Sequence, residues 1–353
     1  MLWKRRYLLP MILSLLALSI QCMQSQIRTR VDLVVVPISV RDNNGNLLTE
    51  LGKEDFAVFE DGKQQTISNF SIDTRPLSTV IVVDDAVRGL TLNRIVSNFP
   101  RLIAGFRTED EIALSRYDHF VWQLSDFTND PAQIHKSFVS IAKIADARPP
   151  DLESDPSLDT RPSWLRVLGN IFKSSSSGPS GRRTGIPTLD SSIGPGPQSR
   201  VLNQAVYEAA ATLRNRPPDR HRAIFLISDG TVDEPRRTRL HTFEQIKDLL
   251  LQNQIQVFAI ATDAPLLEGP FGILESYSSA TGGDVYGGRS DADMKFAFER
   301  VTEVAKKQYV LGYVSNNVPG ARPIFRKIDV KSGEPSQGRK VTHRQGYTQY
   351  PLP

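Results

Sequence analysis

Thr79-Val80-Ile81-Val82-Val83-Asp84 and, much further along, Ala223-Ile224-Phe225-Leu226-Ile227-Ser228-Asp229-Gly230 decide how this chain folds. Each is an unbroken apolar run rich in β-branched residues, without the polar alternation of a half-exposed strand. Such runs suit strands buried on both faces, as in a parallel sheet covered by helices. Helical spacing follows the first run at Leu92, Ile95, Val96, Phe99, Leu102 and Ile103. It precedes the second at Val201, Leu202, Ala205, Val206, Ala209 and Leu213, ending before Pro217-Pro218. Leu240, Phe243, Ile246, Leu249 and Leu250 mark another helix, Ile255 to Ala261 another strand, and Asp291 the start of a last helix. Strands alternating with helices predict a doubly wound, mainly parallel α/β sheet over residues 76–307. Glu111 to Tyr117 and Phe120 to Phe127 flank a tight turn at Asp118-His119, which predicts an antiparallel pair and one reversed edge strand. Pro131 opens a further helix through Ile134, Phe138 and Ile141.

Working outward, residues 31–75 and 308–347 have strand character. Val31 to Val40, Phe56 to Glu60 and Gln65 to Ile72 lie before the α/β region. Tyr309 to Val314, Phe325 to Val330 and Lys340 to His343 lie after it. These flanks are expected to form one small β subdomain beside the main sheet. Residues 146–199 differ in composition, with Pro149-Pro150, the Ser174 to Ser177 run and Gly194-Pro195-Gly196-Pro197. They read as a flexible insertion, with a short amphipathic helix over Trp164 to Phe172.

At the N-terminus, Lys4, Arg5 and Arg6 precede a short apolar run, Leu8 to Ile20, and then polar Gln21, Gln24 and Gln26. These are the parts of a secretory signal over about residues 1–25, which predicts an extracytoplasmic protein: periplasmic, envelope-associated or secreted. Gln21 occupies the place before Cys22 where a lipidation site needs a small residue. Cys22 is the chain's one cysteine, so a mature chain cleaved beyond it has no thiol chemistry. The formal net charge of +4 includes the three basic residues of that signal, leaving +1, which argues against nucleic acid as a partner.

Asp84 and Asp229 follow the two buried runs, and ligands of open parallel sheets bind beyond the carboxyl ends of such strands. Two carboxylates meeting there could hold a hard cation such as Mg²⁺ with further oxygens, or each could cap the next helix. No Gly-x-Ser-x-Gly elbow and no Walker A loop occurs. His119, His135, His221, His241 and His343 lack metal-ligand spacing. No catalysis is expected.

The order strand–Asp–helix, reversed strand, helix, strand–Ser-Asp-Gly, helix, strand resembles a von Willebrand factor type A (vWA) domain. LGKEDFAVFEDGKQQTISNF (Leu51 to Phe70), YVLGYV from Tyr309 and RKVTHRQGY ending at Tyr347 resemble the flanks of bacterial vWA-related proteins described from acidobacteria. The resemblance spans about residues 31–347. It implies a metal-ion-dependent adhesion site whose first element is Asp-x-Ser-x-Ser. Here that element is Asp84-Asp85-Ala86-Val87-Arg88, so both serines are lost. The family's threonine falls at Ser199-Arg200, where Ser199 supplies a hydroxyl if the register shifts by one. The family's last Asp is Asp229. Asp84, Ser199 and Asp229 are thus the remnants of a degenerate metal site, with no confident cofactor and at most weak Mg²⁺ binding. Arg88 would bring a fixed positive charge to the metal position, and it either pairs with Asp84 or Asp229 in place of the cation or points to solvent at the helix start. The implied function is protein–protein interaction or adhesion at the envelope, through Asp84, Asp85, Arg88 and Asp229. The alternative is a structural component of an envelope complex. Membrane contact is expected only through the signal or an anchor.

Overall fold

The computed structural model describes residues 33–87, 89–146, 182–184, 201–232, 241–262, 272–333 and 338–351. The two deciding runs become β5 (Leu77–Asp84) and β9 (His221–Ser228), paired in parallel, with Val83 opposite Ile227. β10 (Ile255–Ala261) and β11 (Val285–Gly287) extend the sheet beyond β9, and β6 (Glu111–Tyr117) extends it beyond β5, all parallel. β7 (Val121–Gln123) reverses direction against β6, as the sequence predicts. Arg182–Thr184 of the 146–199 segment then pair antiparallel with β7 as β8. The order is therefore β11-β10-β9-β5-β6-β7-β8, and β7 lies one place inside the edge.

Alternate residues of the buried strands feed two cores. Ile81, Val83, Phe225, Ile227, Phe258 and Ile260 pack on one face against α1 (Gly89–Ala104), α2 (Pro131–Asp146) and α6 (Asp291–Lys306). Val80, Val82, Ile224, Leu226, Val257 and Ala259 pack on the other against α3 (Leu202–Arg214), α4 (Phe243–Gln252) and α5 (Gly272–Thr281). This two-sided burial is why β5, β9 and β10 carry no polar alternation. Thr242 and Ser290 cap α4 and α6 through capping boxes. α5 and β11 are additions to the sequence-based expectation. Ser276, Ser278, Ser279 and Thr281 dilute the apolar period of α5, although Leu274, Tyr277 and Ala280 are buried.

The flanks form a β-sandwich. One sheet has the order β14-β1-β12-β4, from β14 (Lys340–His343), β1 (Leu33–Arg41), β12 (Tyr309–Val314) and β4 (Ile67–Ile72). The other has the order β15-β13-β2-β3, from β15 (Gly346–Gln349), β13 (Ile324–Ser332), β2 (Phe56–Glu60) and β3 (Lys63–Gln65). Val36, Ile38, Val58, Leu311, Tyr313, Ile328 and Val330 fill the space between them. The expected single strand Gln65 to Ile72 divides at Thr66, because Gln65 ends a strand of one sheet and Ile67 begins a strand of the other. The expected strand Phe120 to Phe127 shortens to β7. The helix expected over Trp164 to Phe172 lies outside the described residues, as do the signal segment, Arg88 and Ser199.

Candidate functional site

Because β5 and β9 are neighbours in register, their carboxyl ends bring Asp84 beside Ser228, with Asp229 next along the chain. Asp84 is fully buried, Asp85 is 1% exposed, and Asp229 is partly exposed on the same rim. Asp84 Oδ1 accepts the Ala86 amide at 3.0 Å and Asp229 Oδ1 accepts the Thr231 amide at 2.8 Å. Both carboxylates thus brace Asx-type turns. Gly230 occupies the left-handed region at φ 77° and donates its amide to Ser228 Oγ at 3.0 Å.

β6 contributes two residues that the sequence reading passed over. Tyr117 Oη lies 3.2 Å from Asp84 Oδ2 and 2.7 Å from Ser228 Oγ, and Ser228 Oγ lies 3.1 Å from the same carboxylate oxygen. Two hydroxyls and one carboxylate oxygen thus close a buried triangle across three adjacent strands. Burial, with the charges of Asp84 and Asp229, pushes the Tyr117 phenol well above its ordinary value of 10, so it stays a neutral donor. One residue earlier, the Arg116 guanidinium pairs with Asp85 and lies 5.0 Å from the Trp122 ring centroid. Arg116 and Tyr117 end their strand level with Val83 and Asp84. Asking which strand runs beside β5, and what ends it, would have found them.

A hard divalent cation needs about six oxygen ligands. Here Ala86 offers no side-chain oxygen, both Asp84 oxygens already accept protein hydrogen bonds, and Arg116 places a fixed positive charge on Asp85. Among the described residues no group of three or more His, Cys, Asp or Glu side chains could hold a metal ion. The described residues of this rim do not fit such an ion. Nor is Ser228 placed as a nucleophile: it is fully buried, and the buried histidine of its strand, His221, stands at the opposite end. There His221 Nε2 faces Gln256 Oε1 at 2.6 Å, while its Nδ1 is 3.4 Å from Asp73 Oδ2.

This architecture is a Rossmann-type α/β fold of the vWA-like class, carried between the strands of a β-sandwich. No family model and no curated protein matches the chain. Among solved structures it is similar to a von Willebrand factor type A protein from Catenulispora acidiphila, at 8% identity and TM-score 0.40, covering 91% of this chain and 75% of that one. It is similar to manganese-loaded TRAP protein from Plasmodium vivax, at 10% identity and TM-score 0.38, covering 85% and 100%. It is also similar to the conserved hypothetical protein BatB from Bacteroides thetaiotaomicron, at 13% identity and TM-score 0.37, covering 65% and 100%. The fold class rests on the strand order and the reversed β7, not on these superpositions.

Proposed function

We propose that this chain is an exported vWA-like protein that binds a protein partner at the rim formed by the carboxyl ends of β5, β6 and β9, without a bound metal and without catalysis. The observation that carries the reading is the internal satisfaction of Asp84 by Ala86, Tyr117 and Ser228, with Arg116 paired to Asp85. The rim is held in shape by protein donors, so a partner meets a preorganised surface of loops on a rigid sheet. Asp84, Asp85 and Asp229 remain the residues assigned to it, together with Arg88. Export rests on the basic and apolar pattern of Lys4 to Ile20. Among the described residues no helix is long and apolar enough to cross a membrane. Likeness to the acidobacterial vWA-related proteins is supported by the way Leu51 to Phe70 and Tyr309 to Tyr347 meet in one sandwich.

Calorimetric titration of the whole protein with Mg²⁺ and Mn²⁺ tests the metal-free rim, with no saturable heat as the expected result. Partner capture from envelope extracts should be equal with and without chelator, and should be lost on Asp229→Ala. Saturable metal binding that disappears in Asp229→Ala would overturn the metal-free reading. Capture indifferent to Asp229→Ala would favour the structural role.

A further inference from the structure

β4 is an edge strand of the sandwich, paired with β12 on one side only. Asp73, just beyond it, donates its amide to Gln308 O at 2.8 Å, which fixes the phase of the ladder. Asp73, Ser71 and Asn69 therefore turn their backbone groups toward β12, and Phe70 and Ile72 turn theirs outward. The one irregularity lies between Gly312 and Tyr313, opposite Ile67 to Asn69, so Asn69 to Ile72 is the regular stretch. Ser71 is exposed on the outer face. Phe70 stacks on Tyr309 at 5.7 Å, and Ile72 follows it on the same face at 54% exposure.

Native sheets blunt a free edge with charge, proline or a very short strand, because unpaired backbone groups template pairing with another chain. Among the described residues, the other edges of this molecule follow that rule. β3 carries Lys63, β14 carries Lys340, and β8 carries Arg182 and Arg183. β11 has three residues, and β15 opens on Gly346, with Gln252 of α4 bonded to Tyr350 just past its end. β4 has six residues, and none of them is charged, proline or glycine. The charge that follows, Asp73, is already held by Arg75 at 2.7 and 3.0 Å.

We propose that β4 is a self-association edge, on which a second copy of this chain pairs antiparallel about a two-fold axis through Ser71. A two-fold sets a strand against itself, so a charge near the axis would meet its own copy, and an uncharged strand is what self-pairing requires. Phe70 then faces Ile72 of the second copy, and the two exchange their outward backbone bonds. An aromatic residue against a β-branched one is a favourable cross-strand pair, and it covers the exposed Ile72. Ser71 meets Ser71 in a non-hydrogen-bonded pair, with Cα atoms about 4.5 Å apart and hydroxyls within reach of each other. Any extended segment satisfies the backbone, but the match of Phe70, Ser71 and Ile72 with themselves favours a second copy. The pairing stretch is short, so the dimer is a reversible one. The edge leads into Asp73, which meets His221 at the amino end of β9, so pairing leaves the rim at the carboxyl ends uncovered.

Sedimentation equilibrium of the full chain over a range of concentrations should show a reversible monomer–dimer equilibrium. Ser71→Lys sets like charges against each other across the axis and should weaken the dimer at least about tenfold, without changing the circular dichroism of the fold. Ile72→Pro removes an outward amide, leaves the β12 ladder intact and should act in the same direction. In a Cys22→Ser background, Ser71→Cys should cross-link two copies on oxidation. Asn69→Cys, roughly 13 Å from its own copy, should not. A dimer indifferent to Ser71→Lys and Ile72→Pro, or cross-linking at 69 and not at 71, would overturn the pairing. A chain that stays monomeric throughout would overturn the second copy as occupant and leave the edge to a strand of another protein.

Discussion

Two fully buried carboxylates, Asp84 at the rim of the α/β sheet and Glu60 inside the sandwich, are treated by this fold in nearly the same way. Glu60 accepts from Tyr313 Oη at 2.8 Å, Ser315 Oγ at 2.6 Å, Asn317 Nδ2 at 2.6 Å and Tyr347 Oη at 3.2 Å. Asp84 is met by Tyr117, Ser228 and the Ala86 amide. In both places hydroxyl and amide donors from distant strands and from turns reach the buried carboxylate. The difference lies in the surroundings. Asp84 adjoins the Asp85–Arg116 pair and the partly exposed Asp229, whereas Glu60 lies between two packed sheets. Burying an acid in this way is therefore a structural device of the fold, and burial alone does not mark a functional carboxylate. Its neighbours on an accessible rim do.

The largest effect expected from this comparison is in the sandwich. Glu60→Ala strands four donors and leaves a cavity, so it should cost about 3–5 kcal/mol of stability by chemical denaturation. Asp84→Ala removes a smaller side chain and leaves Tyr117 and Ser228 still able to bond each other, so it should cost about 2–4 kcal/mol. A reversed order would mean that the rim, not the sandwich, depends more on its buried acid.

How much of this was legible in advance follows from where the partners of each residue lie. β5, β9 and β10 declare themselves because burial on both faces writes an uninterrupted apolar run into the sequence. That Asp84 ends its strand level with Ser228, one residue before Asp229, follows from that topology. Arg116 and Tyr117 do not declare themselves. An arginine and a tyrosine ending a strand read as ordinary strand residues, and their partners Asp85, Asp84 and Ser228 lie 31, 33 and 111 positions away. The same distance in sequence hides Glu60, whose donors come from residues 253 to 287 positions further along. Local pattern gives the strands and says nothing about what meets at their ends.

Arg116 is what separates the rim from the sandwich, so Arg116→Met is the next way to break the comparison. Arg116 and Asp85 are 16% and 2% exposed at the side chain, and removing one partner of so buried a pair should cost about 3 kcal/mol. If calorimetry then detects Mg²⁺ binding that the unaltered protein lacks, the guanidinium is the element that excludes the cation. Tyr117→Phe and Tyr313→Phe remove one hydroxyl from each cluster and should each cost about 1–2 kcal/mol. Agreement between those two values within about 0.5 kcal/mol would support the equivalence of the clusters.

The smallest expected effect is a pH slope, and it sharpens the comparison from outside both clusters. The phenols of Tyr117 and Tyr313 are held well above 10 and that of Tyr347 at about 12, each chiefly by burial, so none of them titrates between pH 6 and 8. His221 and His343 are both lowered from the ordinary 6.5, again first by burial. His221 faces Asp73, Arg75 and Gln256, and His343 faces Asp329, the Val330 amide and Arg344 O. With a depressed folded value, the unfolded chain binds protons first. Stability is then full above about 6.5 and falls as the pH drops below it. The double variant His221→Gln, His343→Gln should flatten that fall in melting midpoints measured from pH 7.5 to 5.5. Glutamine at 221 keeps a donor for Gln256, so the flattening would report lost titration and not a lost hydrogen bond. A slope that survives unchanged would place the titrating group elsewhere and overturn the assignment to these two histidines.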